Sequence, residues 1–317
     1  MLNLARLRVL SEVVGRGSFS AAADALDYTQ SAVSQSIARL EAETGAPLVV
    51  RDRRGVRPTA AGAALLEHAE VIFAQVRAAE DEVAAVLGIR GGRLRVASFP
   101  SAGAALMPQA IASFRRRHPE VQLSLAEGEP EQIAPRLRAG EFDLALLYEF
   151  PGVEEQGGAA GGAVGGRLEV TPLLDDPMHV ALAAEHRLAT KLELTLWDLR
   201  GEDWVQTAAS SPCARHVVRS CVAAGFEPHV TFESDDYETV QGLVAAGVGV
   251  ALIPRLALTR LDPGIVVRSL EPASPMRGVV AATTVGAGVA PAAGVMLEIL
   301  SGIAPDYAET RGWASPR

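Results

Sequence analysis

Seven apolar side chains recur at steps of four and three along one stretch of the chain: Leu65, Ala69, Ile72, Val76, Ala79, Val83 and Val86. A 4,3,4,3,4,3 pattern advances 3.5 residues per turn, so it fits a helix and no strand. It predicts one helix from about Thr59 to Leu87, roughly 40 Å long at 1.5 Å per residue. Charged residues flank the stripe. An unbroken heptad seam of this kind points to a paired helix, and so to a second copy of the chain. The other reading is the buried side of an ordinary core helix. In either case a rod here divides the chain, and the two sides differ in kind.

At 317 residues the chain exceeds one ordinary domain, and two or three are expected. Hydrophobic residues make up 49% and aromatics only 5%, so Ala, Val and Leu must fill the cores. No run of eighteen apolar residues occurs, which speaks against a membrane span. The start, "MLNLARLRVL", is broken by charges and followed by Glu12, so it lacks a signal-peptide layout. Cys213 and Cys221 are the only cysteines, which suits a reducing compartment. A soluble cytoplasmic protein is expected. The net charge of −9 is uneven: residues 1–95 hold 12 arginines against 11 carboxylates, so the acidity lies in the C-terminal two-thirds. Bulk charge therefore says nothing against a nucleic-acid partner for the N-terminal part, where the local field decides.

Three short helices precede the rod. Leu7, Leu10 and Val14 mark the first, "GRGS" breaks it, and Ser20 is a candidate cap for the second, "AAADAL". Thr29 is a candidate cap for the third, "TQSAVSQSIARLE". There Val33, Ile37 and Leu40 form a buried stripe, while Ser31, Gln35, Ala38 and Arg39 face outward with Ser34 on the flank. Three helices with tight turns and a polar third face make a helix-turn-helix pattern. Next, "PLVVRDRRGVRPT" reads as a small hairpin carrying four arginines.

An outer face of Ser, Gln and Arg suits base edges in a major groove, because Gln and Arg make bidentate contacts and Ser donates or accepts. Alone, such a face is equally a solvated helix. The arginine hairpin and the pairing seam beside it shift the balance towards DNA, since a half-site reader needs phosphate contacts and a dimer. The DNA-contact candidates are Thr29, Gln30, Ser31, Ser34, Gln35 and Arg39 on the helix. Arg51, Arg53, Arg54 and Arg57 on the hairpin are candidates for phosphates or the minor groove.

After "GIRGG" the chain alternates strands and helices, the signature of α/β structure with a parallel sheet. One series runs through "RLRVAS", "VQLSLAEG" and "DLALLY". "GGAAGGAVGG" at 157–166 is low-complexity. A second series runs through "VTPLL", "MHVALA", "LTLWDL", "DWVQT" and "HVTFES", with helices near Pro212–Ala224 and Tyr237–Ala246, to "GVALIP". A closing strand pair and a helix through Met296–Leu300 fit best back in the first series. Two lobes are expected, at about 92–167 plus 269–300 and about 168–268, with disorder from 306 to 317.

Ligands of such folds sit beyond strand carboxyl ends and in interdomain clefts. The groups there are Ser98, Phe99, Pro100 and Ser101, then Glu127 and Gly128, Gln206 and Thr207, and Ser234 and Asp235. Singly each fits turn or capping chemistry; as a set they fit a small-molecule site. Ser211-Pro212 reads as a helix start with free N–H groups. No Lys or Arg stands at these strand ends, although Arg215 on the adjacent helix could reach in. This favours a small polar metabolite over a highly charged anion. Cys213, His216 and Cys221 give at most two convergent metal ligands, too few for zinc. The two thiols stand about 12 Å apart on an intact helix, too far for a disulfide. The glycine run lacks a P-loop's Lys-Ser/Thr, and no hydrolase or metalloprotease signature occurs. No cofactor, metal or catalytic residue is assigned.

Residues 1–88 resemble the N-terminal domain of LysR-type transcriptional regulators, through "SFSAAADAL", "TQSAVSQSIARLEAETGAPL", the "RDRRGVRPTAAG" hairpin and the long helix. "EFDLALL", "PLLDDPMHVAL", "LTLWDLRGEDWV" and "ETVQGLVAAGVGVALIP" resemble that family's effector domain. The likeness covers nearly all but the glycine run and the tail. A departure is "LVVR" at 48–51, where the family more often has Phe before the Arg. The resemblance implies a winged helix-turn-helix domain over 1–58, a dimerisation helix over 59–88 and a two-lobed periplasmic-binding-protein-like (type 2) effector domain over 89–305. It implies a bacterial activator or repressor that binds double-stranded promoter or operator DNA and a small-molecule effector. A homodimer that pairs into a homotetramer is implied, with RNA polymerase as a further partner. An α/β enzyme with an accessory helical domain is the alternative, since two-lobed folds also host enzymes. That alternative explains neither the hairpin arginines nor the seam.

Overall fold

The computed structural model describes residues 2–52, 55–86, 92–150, 168–191, 193–272, 274–284 and 290–310. Each N-terminal helix starts on a side-chain oxygen and stops on a left-handed residue. Asn3 caps α1 (Leu4–Arg16) by accepting from the Ala5 N–H at 2.9 Å, and Gly17 ends it at φ +62°. Helix α2 (Phe19–Leu26) begins at Ser18, not at the expected Ser20. Phe19 is the reason: its ring is only 5% exposed and holds the first turn in the core, so the cap falls one residue before it. Thr29 caps α3 (Gln30–Thr44), its Oγ1 accepting from the Ala32 N–H at 3.2 Å, and Gly45 ends it. Caps of this kind contribute about 1 kcal/mol each. The buried faces of the three helices share one core, closed by Leu48, Val56 and Ala69 from the following segments.

The hairpin is an antiparallel pair, β1 (Val49–Asp52) and β2 (Gly55–Pro58). The Val56 N–H donates to the Gly17 carbonyl at 2.9 Å, which stitches the return strand to the α1–α2 turn. Gly55 has φ +115°, and a Cβ there would lie 2.8 Å from that same carbonyl oxygen, so only glycine fits. Glu41 of α3 accepts from the Leu48 N–H at 2.8 Å, fixing the first strand. Thr59 then starts α4 (Ala60–Val86), accepting from the Gly62 N–H at 3.0 Å and donating to the Pro47 carbonyl at 2.7 Å.

In the α/β part, β3 (Arg93–Ser98) lies between β4 (Gln122–Glu127) and β5 (Leu144–Glu149), parallel to both. Helices α5 (Pro100–Ala105), α6 (Met107–Arg117) and α7 (Pro130–Arg138) make the crossovers. The segments expected as two strands, "VTPLL" and "MHVALA", form one strand of 16 residues, β6 (Leu168–Ala183). Its first half pairs with β11 (Met276–Thr284), which in turn pairs with β5. Its second half pairs with β9 (Ala251–Pro254) and β10 (Ile265–Arg268). The lobe boundary expected at residue 168 therefore falls inside β6, near Pro177. Pro172 and Pro177 stand inside this strand because this half has hydrogen-bonded neighbours on one side only among the described residues, and an edge tolerates proline. A register shift opposite Val279/Val280 absorbs the irregularity.

Lobe two holds the parallel pair β7 (Asp203–Gln206) and β8 (His229–Glu233), with α8 (Pro212–Ala223) and α9 (Tyr237–Ala245). The "LTLWDL" element is a short 3-10 turn over Leu196–Leu199. Helix α10 (Pro291–Thr310) packs back on α6, returning the chain to lobe one. It continues through Pro305, so the expected disorder from 306 does not hold as far as Thr310. A proline inside a helix removes one hydrogen bond without always ending it. Residues 311–317 and the glycine run at 157–166 lie outside the described residues.

Candidate functional site

Two surfaces carry candidate chemistry. On the first, Val33, Ile37 and Leu40 bury one stripe of α3, which turns the opposite face outward. Thr29, Gln30, Ser31, Gln35, Ala38 and Arg39 are exposed there, and Ser34 is half-buried on the flank. Arg51 and Arg57 are exposed on the hairpin, and the Arg51 guanidinium stacks 3.9 Å from the centre of the Phe19 ring. Arg53 and Arg54 lie outside the described residues. The arrangement offers hydrogen-bonding side chains on the outer face of one helix, with exposed arginines beside it.

The seam on α4 divides. Ala69 is fully buried, and Leu65 and Ile72 pack against the core of the same chain's N-terminal helices. Ala69 is thus accounted for within one chain, while Leu65 and Ile72 are covered by it only in part. A heptad stripe reports an apolar neighbour, not which chain supplies it. Val76 is 37% exposed, Val83 is 57% exposed and Ala79 is exposed, so among the described residues this half of the stripe is left open to solvent. The Val86 side chain lies outside the description.

The second surface is a cavity of about 440 Å³ between the lobes. Lobe one lines it with Phe99, Pro100 and Ser101 at the start of α5, Glu129, Glu131 and Gln132 at α7, and Tyr148 of β5. Lobe two adds Thr207 and Ala208, the α8 start from Ser210 to Cys213 with Arg215, and Asp235 and Tyr237. Five of the ten residues expected from the sequence therefore line it: Phe99, Pro100, Ser101, Thr207 and Asp235. Ser98, Glu127, Gly128, Gln206 and Ser234 do not. Ser98 Oγ turns to its neighbour's carbonyl, and Ser234 Oγ accepts from the Asp236 N–H, so both serve turns. Gly128 donates its N–H to the Ser98 carbonyl. Side chains alternate along a strand, so a strand end nominates twice as many positions as it can aim.

Arg277 completes the lining, and the sequence reading missed it. It is 2% exposed, and its Nε donates to Asp176 Oδ2 at 2.9 Å. Its Nη2 donates to Ser101 Oγ at 2.6 Å, and its Nη1 stands 3.6 Å from Cys213 Sγ. The rings of Phe99 and Tyr148 flank its guanidinium at 4.8 and 4.7 Å. Burial opposes this charge most strongly, but the Asp176 carboxylate together with the neighbouring Cys213, Tyr237 and Tyr148 groups holds the guanidinium above its ordinary pKa. One cation thus joins α5, the crossing strand β6 and lobe two's α8. Half a signal existed: Arg277 is the one charged residue of β11, whereas Asp176 is one of three acids in β6.

Two further contacts tie α8 to lobe one. Arg215 lies 3.7 Å from Glu131, and His216 stacks on Phe150 with centroids 4.2 Å apart. Burial, then the nearby Arg219, lowers the His216 pKa to about 4. Glu129 accepts from the Tyr148 hydroxyl at 2.8 Å, and burial raises its pKa above the usual carboxylate value, with Glu131 and Asp235 acting the same way. Cys213 and Cys221 are free thiols on an intact α8, and burial pushes Cys221 up to about 12. Among the described residues no group of three or more His, Cys, Asp and Glu side chains is placed to hold a metal ion.

Comparison with known proteins places these surfaces in context. Residues 4–63 match the family described as bacterial regulatory helix-turn-helix protein, lysR family, and residues 88–303 match the LysR substrate binding domain. The "Probable HTH-type transcriptional regulator LrrA" of Synechococcus elongatus is 33% identical over 314 residues, covering 98% of this chain and 100% of its own. The DNA-binding transcriptional dual regulator OxyR of Escherichia coli is 27% identical over 260 residues, with 81% and 80% covered. A full-length OxyR structure from Pseudomonas aeruginosa superposes with a TM-score of 0.65 at 24% identity, covering 95% of each chain. At that identity the likeness is one of fold.

Proposed function

The chain belongs to the LysR family of transcriptional regulators, and on that premise we propose which of its residues read DNA, pair two copies and sense the effector. Helix α3 reads base edges in the major groove through Gln35 and Arg39, with Thr29, Gln30, Ser31 and Ser34 beside them. Arg51, Arg53, Arg54 and Arg57 hold phosphates. The exposed half of the α4 seam, Val76, Ala79 and Val83, pairs two chains so that two half-sites are bridged, and two such dimers form a tetramer. The interlobe cavity takes a small polar effector that shifts the assembly between two arrangements. The protein works in the cytoplasm, does no catalysis, and meets RNA polymerase at its promoter. No helix among the described residues is long and apolar enough to cross a membrane.

The observation that carries this reading is the polar, nearly uncharged outer face of α3, set beside exposed arginines on a domain tied to a two-lobed sensor. An enzyme with an accessory domain has no use for that face. The test is fluorescence anisotropy with the duplex flanking the protein's own coding region and with a shuffled duplex of equal length. A preference for the former of about 1,000-fold or more at physiological salt is expected, within the range for specific sites. Equal affinity for both duplexes would remove the sequence-reading role.

A further inference from the structure

The proposed role leaves the effector's chemistry open, and the charge balance of the cavity narrows it. Five charged side chains line the space: Glu129, Glu131, Asp235, Arg215 and Arg277. Arg277 is engaged with Asp176, which is fully buried behind it, so that pair presents little net charge to a ligand. Arg215 and Glu131 face each other at 3.7 Å from opposite lobes. Glu129 from lobe one and Asp235 from lobe two remain. Their donors are neutral: the Tyr148 hydroxyl at 2.8 Å and the capping N–H of α7 on Glu129, and the Ala208 N–H on Asp235 at 2.9 Å. A carboxylate accepts several hydrogen bonds, so both keep open acceptor sites. Burial most of all, and then Glu131 and Asp235, disfavour ionisation of Glu129, while the Tyr148 hydroxyl and Arg277 favour it, so the charged Glu129 is left under-compensated in the cleft.

We propose that the effector is a small organic cation, a protonated amine whose ammonium sits between Glu129 and Asp235. This rests on the reading of the cavity as the effector site. A bare metal ion fits less well, because no cluster of three ligating groups exists among the described residues. An organic ammonium fits the rest of the lining. Phe99, Tyr148 and Tyr237 supply apolar lining for its carbon chain. Thr207, Ser210 and Ser211 supply hydroxyls for a second polar group. The volume of about 440 Å³ suits a metabolite-sized molecule. The same geometry explains how binding is felt. Without the cation, like charges from the two lobes oppose closure; with it, one group bonds both lobes, so closure and binding favour each other.

The test is thermal unfolding of the full-length protein at constant ionic strength, titrated with 1,4-diaminobutane and, separately, with succinate. The diamine raises the melting temperature and succinate does not. Glu129→Gln and Asp235→Asn keep the contacts with Tyr148 and Ala208, raise the melting temperature of the unliganded protein, and weaken the diamine response at least tenfold. A diamine response unchanged in both variants would mean loose association with the acidic surface and would overturn the proposal. Stabilisation by succinate, lost in Thr207→Val, would also overturn it while leaving the cavity as the effector site. Failure of the diamine to shift the parent protein, with amide variants that unfold like the parent, would overturn the cation; only an effector footprint unaltered by Thr207→Val would overturn the cavity itself.

Discussion

The Arg277 guanidinium and the Asp176 carboxylate meet at 2.9 Å where the chain crosses between lobes, and both side chains are all but fully buried. The pair joins β11 to β6 and reaches Ser101 and Cys213 from the two sides of the cavity. A buried ion pair is weak support for stability on its own, since desolvation cancels much of the attraction, but breaking one is costly.

Arg277→Gln or Asp176→Asn alone is expected to destabilise the effector domain by about 3–5 kcal/mol. That corresponds to a drop in its melting temperature on the order of 10 °C. The double change Arg277→Met with Asp176→Leu recovers most of the loss, because no uncompensated charge is left behind. Calorimetry of the three variants checks this. A double variant as unstable as the worse single one would show that the pair's hydrogen bonds to its neighbours matter more than its charges.

Val76→Glu with Val83→Glu places charge on the uncovered half of the α4 stripe and is expected to yield monomers that keep their fold. Ala69→Glu charges the buried half and is expected to unfold the N-terminal domain, since a carboxylate there has no partner. Light scattering and circular dichroism separate the two results. Intact oligomers in the double variant would move the interface elsewhere.

Acid should loosen the cleft through His216. Its folded pKa, about 4, lies below the ordinary histidine value because burial and then Arg219 disfavour the charged ring. The unfolded chain therefore takes up the proton first. Stability from this group is complete above the ordinary value of about 6.5 and falls as pH drops from there towards 4. His216→Phe keeps a ring against Phe150 and removes the proton site, so its melting temperature should fall less over that window. Parallel pH profiles for parent and variant would exclude His216 as the source.

Features of the chain set by near neighbours were legible in the sequence. The stripe Val33, Ile37, Leu40 and the cap at Thr29 depend on local spacing, and so does the hairpin. Features set by distant neighbours were not. Ala69 is indistinguishable from Val76 by spacing, yet one lies against α1 and the other is uncovered. Half of the expected cleft residues line the cavity, because a strand end is visible in sequence while the direction of each side chain depends on register. Arg277 stands 101 residues from Asp176, and nothing local announces that they meet. The continuity of β6 across "VTPLL" and "MHVALA" was not legible for the same reason: whether a strand runs on through proline depends on which side of it is paired.

The central claim is that α3 reads sequence while the hairpin arginines hold the backbone, and the most direct measurement is salt-dependent binding of two variants to cognate and random duplexes. Gln35→Ala should cost roughly 1–3 kcal/mol on the cognate duplex and almost nothing on random DNA, leaving the salt slope unchanged. Arg57→Ala should weaken both duplexes alike and reduce the slope by about one. Equal losses on both duplexes for Gln35→Ala, with an unaltered slope for Arg57→Ala, would contradict this division of roles.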